Sequence, residues 1–517
     1  MPQRDLLSVA LVLNPADNVA VLKKPAQTGD LLTSPSRTVP IAQDIPAGHK
    51  IALTEISEGA SVCKYGQLIG VAAAAISPGE HVHTHNLSLG SIPHDCQVST
   101  DSPEVNFYPR DSMRFFQGYA RSGGRVGTRN YLAVISTVNC SASVSRHVCG
   151  HFRPEDLARD FPNIDGIVAF THKTGCAMDP GEPQLILQRV LAGIARHPNI
   201  AGYVMIGLGC EVNQVNAIRR TFQIDQTRPG EVAPVFMNIQ SAGGVSKSIE
   251  AAVSTVTRML PAANDVRRSP QPLSKLLLAE NCGGSDAHSG ITANPALGIA
   301  SDELVRYGGT SVLAETPEIY GAEHLLTRRA ASPQVARKLL SLVRWWEDHT
   351  RQHGSSIDNN PSPGNKVGGL TNIFEKSLGA VAKAGQSPLM AVYNYAEPIT
   401  SPGLCFMDTP GFDPVSMTGL VAGGCNIAIF TTGRGSVYGC KPTPCIKVSS
   451  NTALYDSMPD DIDLNAGTIL DGTETLDLTG RRLFELIIAV ASGQKTKSEL
   501  SGFGDEEFAP WQLGPTF

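Results

Sequence analysis

Histidines at every second position mark the first stretch whose residues could do chemistry. The segment Glu80–Asn86 reads EHVHTHN and contains His81, His83 and His85, in a chain of 517 residues with 13 histidines. Successive side chains of a β-strand point to opposite faces, so a strand here would line up the three imidazoles on one face. Such a face could bind a ligand or transfer protons. Spacing alone leaves a solvated strand edge as an equal alternative.

Cysteines form the second group, because four of them follow apolar, strand-like runs. Cys140 follows YLAVIST, Cys176 follows GIVAFTH, Cys210 follows YVMIGLG, and Cys282 follows KLLLAEN. Ligands of open parallel sheets bind beyond the carboxyl ends of the strands, where these thiols would lie. Thiolates from separate loops suit a soft or borderline metal such as iron. A buried cysteine acting as apolar filling is the alternative for each position.

Further polar residues at predicted strand ends could bind an anion. Arg434 lies in TTGRGS, which lacks the glycine spacing of nucleotide loops, and an arginine between glycines can grip a carboxylate with two hydrogen bonds. A surface arginine in a tight turn is the alternative. The remaining candidates for substrate binding are Arg129 and Asn130 in GRVGTRNY, and Lys447 and Asn451 in IKVSSNT.

Composition limits the classes of function and location. Charged residues make up 17% of the chain, and 42 Lys and Arg stand against 48 Asp and Glu, which gives no basic surplus for nucleic acid. The apolar run Leu6–Leu13 is too short to span a bilayer and lacks a cleavage site, so we interpret it as a buried strand. These features predict a cytoplasmic protein that binds neither nucleic acid nor membrane. The eleven cysteines, an odd number, do not indicate a disulfide scaffold.

The pattern of apolar runs predicts a mixed fold class. Short runs separated by the turns IPAGHK and ISPGEH predict a small all-β amino-terminal domain. After Gly118, apolar runs alternate with helical stretches, which is typical of parallel α/β sheets. One clear helix begins at Ser332 and Pro333 and ends at Gly354, with Trp345 and Trp346 predicted in the core. The predicted boundaries are a β domain at 1–90, a linker at 91–113, a middle α/β domain at 114–265, and a Rossmann-like α/β domain at 266–517.

Long motifs in this order resemble one enzyme family. GYARSGGRVGTRNYLAVISTVNCSASV, NCGGSDAHSGITANPALG, NPSPGNKVGGLTNIFEKSLG and TTGRGSVYGCKPTPCIKVSSNT are similar to segments of the altronate and galactarate dehydratases. The amino-terminal IPAGHKIALTEI, KYGQLIG and GEHVHTHN resemble that family's β-clip domain of the SAF type. HVHTHN is more similar to the altronate branch. In HKTGCAMD, Lys173 and Ala177 depart from the family pattern, which predicts an altered pocket beside Cys176.

The resemblance implies a β-clip, a middle domain with dimer contacts, and a Rossmann-like carboxyl domain. It also implies a homodimer and the iron-dependent removal of water from a small sugar acid, giving a 2-keto-3-deoxy acid. We expect an altronate-type aldonic acid as substrate. The alternatives are galactarate, a sulfolactate-type sulfo-lyase, in which the β-clip is a separate subunit, and a non-catalytic sugar-acid binding protein.

Dehydration requires a base, a proton donor and stabilisation of an enolate-like intermediate. His172 and His288 are the candidate base and acid. The β-clip is expected to fold over the pocket and contribute His83 or His85 to substrate or metal. Two metal arrangements remain open. In one, Cys176, Cys210 and Cys282 hold iron, with an iron–sulfur cluster as one form. In the other, a single Fe²⁺ or Mn²⁺ ion is bound by histidine, Asp286 and other carboxylate or thiolate groups.

Overall fold

A computed structural model describes residues 2–90, 97–227, 231–514 and 516. The part of the predicted linker at 91–96 lies outside the described residues. Residues 97–109 have no helix or strand, and a single 3-10 turn follows at Arg110–Ser112. The chain then enters a small antiparallel sheet, in which Phe115–Ala120 pairs with both Val126–Gly127 and Ser269–Pro272. Through this sheet, the start of the middle domain is hydrogen-bonded to the start of the carboxyl domain.

The amino-terminal domain consists of three small sheets, as the turn pattern predicts. Its strands are Gln3–Asp5, Ala10–Leu11, Val19–Leu22, Leu31–Ser34, Arg37–Pro40, Lys50–Ala52, Ser61–Lys64, Gln67–Ala72, His81–Val82 and Leu87–Ser88. Glycines in the turns adopt positive φ, including Gly48 at 84° and Gly79 at 86°. At Gly79 an added Cβ would lie 1.7 Å from the Pro40 carbonyl oxygen, so glycine is required there.

The interpretation of Leu6–Leu13 as one buried strand was wrong. Leu6–Val9 forms a short helix, and only Ala10–Leu11 is a strand. Asp5 caps the helix by accepting a hydrogen bond from the Ser8 backbone nitrogen at 2.8 Å. Leu6 and Val9 are buried, so the apolar run still contributes to the domain core. The cap decided the local conformation, which the apolar run alone does not determine.

The middle domain is built on a four-stranded parallel sheet. Its strand order is Gly166–Phe170, Tyr131–Ser136, Ile200–Gly207 and Val235–Asn238. The first three strands match the predicted apolar runs, and the two central strands are the most deeply buried because helices cover both faces of the sheet. The helices are Ala142–Gly150, Pro154–Asp160, Glu182–Ala195, Val215–Phe222, Ile239–Ala242 and Val245–Asn264.

The carboxyl domain contains a seven-stranded sheet in which every pairing is parallel. Its strand order is Leu389–Tyr393, Gly403–Met407, Thr310–Leu313, Leu277–Cys282, Ile427–Thr432, Cys445–Ser449 and Leu464–Asn465. The helices are Ala293–Arg306, His324–Thr327, Pro333–Gln352, Pro363–Val367, Ile373–Val381, Asp413–Ala422, Thr452–Ser457, Thr468–Asp471, Leu476–Ala491 and Lys497–Leu500. The mixed fold class predicted from the sequence is confirmed.

The helix predicted from Ser332 is confirmed as Pro333–Gln352. The Ser332 side chain accepts a hydrogen bond from the Val335 backbone nitrogen, and Gly354 adopts a φ of 66° just beyond the end. Trp346 is fully buried and stacks on Trp511 at a ring-centroid distance of 5.4 Å. Within the described part of the chain, no helix is long and apolar enough to cross a membrane.

Candidate active site

Four histidines of the amino-terminal domain gather on one side of that domain. The ring centroids of His49, His81, His83 and His85 lie 4.9 to 5.5 Å apart in the four pairs that touch. His49 Nδ1 lies 2.8 Å from His81 Nε2, which joins the two rings by a hydrogen bond. We call these four residues the histidine cluster.

The cluster does not arise in the way that the alternating spacing predicts. Only His81–Val82 is a strand, and the chain then turns, with the Asn86 and Leu87 backbone nitrogens donating to the His83 carbonyl. His83 and His85 therefore lie in a turn, and the sequence reasoning missed His49. A signal was available, since IPAGHK and ISPGEH are similar turns that lead into the paired strands Lys50–Ala52 and His81–Val82.

Backbone carbonyls of the carboxyl domain orient the cluster. His49 Nε2 lies 3.1 Å from the Val367 carbonyl oxygen, and His83 Nε2 lies 3.0 Å from that of Lys366. A carbonyl only accepts hydrogen bonds, so both Nε2 atoms carry the proton and both Nδ1 atoms keep a lone pair in the neutral rings. His81 Nε2 then donates to His49 Nδ1, which leaves the lone pair of His81 on its own Nδ1.

Burial keeps these imidazoles neutral. It lowers the pKa of His81 to about 3, with the neighbouring histidines adding to the shift. It also lowers the pKa of His83 to about 4, assisted by the positive charge of Lys50, and lowers the pKa of His49. Neutral imidazole is the form that binds metal ions and accepts protons.

The lowered pKa of His81 predicts a loss of stability in acid. The ordinary histidine pKa is 6.5, so the unfolded chain binds more protons than the folded chain between pH 6.5 and about 3. Stability is therefore at its full value above pH 6.5 and falls as the pH drops through this window. In thermal unfolding from pH 7.5 to 4.5, we expect His81→Gln to show a shallower acid loss than wild type, and exposed His147→Gln to show the wild-type slope. Equal slopes for all three proteins would contradict this prediction.

The facing half of the site lies at the carboxyl ends of three adjacent strands of the seven-stranded sheet. Asp286 follows Leu277–Cys282, Arg434 follows Ile427–Thr432, and Asn451 follows Cys445–Ser449. Asn451 Nδ2 donates to Asp286 Oδ2 at 3.1 Å and to the Gly433 carbonyl oxygen at 3.0 Å. The three loops therefore form one surface, because neighbouring parallel strands place their carboxyl ends at the same edge of the sheet.

Asp286 and His288 form a buried acid–base pair on this surface. His288 Nδ1 lies 3.7 Å from Asp286 Oδ2, and His288 Nε2 lies 3.2 Å from the Leu22 carbonyl oxygen of the β domain. Asp286 Oδ1 also accepts hydrogen bonds from Ser450 Oγ and from Ser289, each at 2.8 Å. Burial opposes the charged form of Asp286, but its interaction with His288 and the hydrogen bonds from Ser450 and Ser289 hold its pKa below the usual value.

The segment 362–369 connects the two halves. Its Lys366 and Val367 carbonyls contact the histidine cluster, while its Gly368 carbonyl accepts from the Ala287 backbone nitrogen at 3.0 Å. A Cβ at Gly368 would lie 3.1 Å from Asp286 Cβ and 3.3 Å from Arg434 Cδ. The β domain thus folds against the carboxyl edge of the sheet and places His49 and His83 beside segment 362–369, whereas His85 is exposed and contacts His81.

A buried ion triad anchors this arrangement. Lys50 and Lys64 of the β domain both bond Glu375 of the carboxyl domain at 2.8 Å, and all three side chains are fully buried. The single negative charge of Glu375 cannot neutralise the positive charges of both Lys50 and Lys64. Burial and repulsion by Lys64 lower the pKa of Lys50 to about 8 despite the opposing effect of Glu375, whereas Glu375 raises the pKa of Lys64 against the effect of burial.

Cys282 lies in a separate buried network. Its Sγ is 3.5 Å from a Glu318 oxygen and 2.9 Å from Lys383 Nζ, while Lys383 Nζ lies 2.7 Å from Glu315 and Lys376 Nζ lies 2.6 Å from Glu318. In the described ranges, Cys282, Glu315 and Glu318 are the one group of three metal-ligand residue types whose ligand atoms lie within 4.8 Å of one another. The two lysine ammonium groups already supply the positive charge that a metal ion would bring.

The three cysteines predicted as one metal site are not brought together. Cys176 and Cys210 are exposed at the carboxyl edge of the middle sheet, whereas Cys282 is buried at the edge of the seven-stranded sheet. Burial and the negative charge of Glu315 raise the pKa of the Cys282 thiol, which opposes thiolate formation. An arrangement with all three sulfurs on one iron is therefore wrong for this fold, although thiolate binding by other combinations remains a prediction.

Four further candidates have structural roles, so their predicted roles in substrate binding or catalysis were wrong. Arg129 is 1% exposed and pairs with Glu499 at 2.6 Å, while the Asn130 amide donates to two backbone carbonyls. Lys447 donates to the Tyr438 carbonyl oxygen and to Ser498 Oγ. His172 is bonded to the Ser136 carbonyl oxygen in the middle domain, and burial lowers its pKa to about 4. Burial against polar partners leaves none of them free to face a substrate.

Family comparisons agree with this architecture. Models described as the altronate/galactarate dehydratase SAF domain, the D-galactarate dehydratase/altronate hydrolase second domain, and the D-galactarate/altronate dehydratase C-terminal domain match residues 8–90, 118–264 and 273–516. The chain is 36% identical to the altronate dehydratases of Bacillus subtilis (strain 168) and Escherichia coli (strain K12), over 97% of this chain and 98% of each relative. It is 38% identical to the galactarate dehydratase (L-threo-forming) of Escherichia coli (strain K12), over 88% of this chain and 87% of the relative.

Proposed function

Since the chain belongs to the altronate/galactarate dehydratase family, we propose that it removes water from an altronate-type sugar acid to give a 2-keto-3-deoxy acid. The observation that supports this function most strongly is the meeting of the histidine cluster with the Asp286–His288 pair. Gly48, beside His49, lies so close to His288 that an added Cβ would be 3.6 Å from His288 Cε1. Side chains of the β domain and of the carboxyl domain that can accept or donate protons therefore lie at the same edge of the seven-stranded sheet.

In this proposal, Arg434 holds the carboxylate of the substrate and His288 takes the proton from the adjacent carbon. Its Nε2 already donates to the Leu22 carbonyl oxygen, so Nδ1 is the atom that receives the proton. The Asp286 carboxylate then stabilises the imidazolium. Hydroxide leaves from the next carbon and is protonated to water by the imidazolium of His85, the exposed member of the cluster. The enol that remains becomes the 2-keto acid by proton transfer to carbon.

A divalent iron or manganese ion also forms part of the proposal. Neutral imidazole and carboxylate groups suit such an ion, and His81, His83 and Asp286 are the residues that would supply them. Their ligand atoms do not all lie within 4.8 Å of one another, so binding would require these side chains to move together. When bound, the ion would polarise the carboxylate and the leaving hydroxyl. The contact of His83 Nε2 with the Lys366 carbonyl oxygen would orient that imidazole, as hydrogen bonds to backbone carbonyls commonly do for metal-binding histidines.

The test of this function is product formation. Anaerobically purified protein is supplied with Fe²⁺ and incubated with D-altronate or with galactarate, and 2-keto-3-deoxy acid is measured. Product from altronate with little from galactarate supports the proposal. Product from galactarate alone would show that the substrate is the aldaric acid. No product from either acid would overturn the dehydratase assignment. The homodimer and the cytoplasmic location are further proposals, and sedimentation of the purified protein would test the first.

Replacement of Arg434 should weaken substrate binding. A hydrogen bond to a charged group contributes about 1.5–3 kcal/mol, so Arg434→Gln should raise KM roughly 10- to 100-fold. Arg434→Lys should restore part of the loss, because lysine keeps the charge but not the two parallel donors. Arg337→Gln on the exposed face of helix Pro333–Gln352 is the matched control. An unchanged KM in Arg434→Gln would remove this residue from the site.

A further inference from the structure

One carboxyl group beside the candidate active site has no role in the mechanism described above. Asp413 is the first residue of helix Asp413–Ala422, which follows strand Gly403–Met407 of the seven-stranded sheet. Its side chain is partly exposed, and it forms no hydrogen bond or ion pair with the described part of the chain. A carboxyl group at the carboxyl edge of the sheet that has no protein partner is available to a ligand.

Two glycines lie between Asp413 and Arg434. A Cβ at Gly283 would lie 2.2 Å from Asp413 Oδ2, so the Asp413 carboxyl group packs directly on this glycine. The carbonyl oxygen of the next residue, Gly284, accepts a hydrogen bond from the Arg434 backbone nitrogen at 2.7 Å. Gly284 is exposed, and neither glycine has a side chain that could separate the two polar residues. Asp413 and Arg434 therefore flank one open segment, to which the two ends of a small molecule could bind.

Two buried ion pairs lie behind this segment. Glu318 pairs with Lys376 at 2.6 Å, and Glu315 pairs with Lys383 at 2.7 Å. Each ammonium group is thus already neutralised by a carboxylate of the protein. Asp413 adds a third carboxyl group to this balanced set, so this end of the site offers no unpaired cation to a ligand.

The pKa of Asp413 reports the electrostatic environment at this position. Burial raises the pKa well above its usual value, and the negative charges of Glu315 and Glu318 raise it further, against the opposing effect of Lys376 and Lys383. A carboxylate of a ligand placed here would meet the same burial and the same charges. A hydroxyl group carries no charge, and a neutral carboxyl group can both donate a hydrogen bond to it and accept one from it.

We propose that Asp413 is a specificity-determining residue, which binds the terminal hydroxyl group of a sugar acid whose carboxylate lies at Arg434. The protein therefore selects aldonic acids, which carry one carboxylate, over aldaric acids, which carry a carboxylate at each end. This inference rests on the proposed function, from which it takes the substrate and its orientation. It goes further by naming the residue that distinguishes the two classes of acid.

Equilibrium binding tests the inference without turnover. Full-length His288→Gln protein, in which the proposed base is absent, is titrated with D-altronate and with galactarate in a calorimeter. The ratio of the two dissociation constants is then compared among Asp413 variants in this background, so that differences in stereochemistry between the acids cancel. Asp413→Lys supplies a cation for a second carboxylate and should shift the ratio about 10- to 100-fold toward galactarate. Asp413→Asn keeps a neutral donor and acceptor, so its shift should be less than about threefold.

Asp348→Lys is the matched control, since Asp348 is 65% exposed on helix Pro333–Gln352 and should leave the ratio unchanged. Asp413 is partly exposed, so its variants are expected to fold, and unchanged circular dichroism would verify this. An unchanged ratio in Asp413→Lys, or an equal shift in Asp348→Lys, would overturn the inference, as would binding of neither acid. If the expected shift occurs but wild type forms no product from either acid, the dehydratase function fails while the assignment of Asp413 stands.

Discussion

Glu375→Gln should destabilise the protein by about 3–5 kcal/mol, the range expected when one partner of a buried ion pair is removed. The neutral amide would leave the ammonium groups of Lys50 and Lys64 in a fully buried site without a counter-charge. Because the two lysines belong to the β domain and the carboxylate to the carboxyl domain, the loss should appear as weaker docking between these domains. Thermal unfolding and limited proteolysis of the β domain would measure it.

A surface pair provides the matched control for that experiment. Glu485→Gln removes a carboxylate that pairs with Arg114, but Glu485 is 59% exposed. Exposed pairs contribute about 0–1 kcal/mol, so this variant should unfold close to wild type. A Glu375→Gln protein that unfolds like Glu485→Gln would show that the triad does not hold the two domains together.

His288→Gln should lower kcat roughly 10²- to 10⁴-fold, the usual contribution of a general base. Asp286→Asn should cause a similar loss, because the amide cannot stabilise an imidazolium 3.7 Å away. If the two residues act as one unit, the double variant should lose little more than either single variant. Steady-state kinetics of all three proteins with the accepted sugar acid would measure this coupling.

Variants of two other histidines serve as comparisons for the His288→Gln result. His172 was an equal candidate for the base from sequence, but its Nε2 is bonded to the Ser136 carbonyl oxygen in a different domain. His172→Gln should therefore affect stability more than kcat, and exposed His147→Gln should affect neither. A large loss of kcat in His172→Gln together with a normal kcat in His288→Gln would reverse the assignment of the base.

Local patterns predicted the secondary structure well because their causes are local. The runs YLAVIST and NIAIFTTG became the buried parallel strands Tyr131–Ser136 and Ile427–Thr432. Ser332 and Pro333 began a helix where the capping rule places them. The run Leu6–Leu13 was misjudged, because an apolar segment of that length is compatible with either a strand or a helix.

The rule that ligands of parallel sheets bind beyond the carboxyl ends of the strands predicted part of the site. It could not distinguish residues that face the site from residues that have structural roles. Asp286, Arg434 and Asn451 share one edge because their strands are neighbours in the seven-stranded sheet. Arg129 and Lys447 also lie near strands of the two sheets, yet their side chains turn inward to Glu499 and to the Tyr438 carbonyl. The direction of a side chain near a strand depends on which distant partner can satisfy its charge, and no local pattern contains that information.

The sequence by itself determined the family, the three-part architecture and the presence of a histidine-rich segment, because these depend on long motifs and on local composition. Only the tertiary structure decided that His49 joins the cluster, and that Cys282 pairs with Lys383 while Cys176 and Cys210 lie with Cys140. Those pairings depend on strand order and on burial. Strand order brings together groups that are far apart in the chain. Burial places charged groups in a medium of low dielectric constant, where each charge requires a partner of opposite charge.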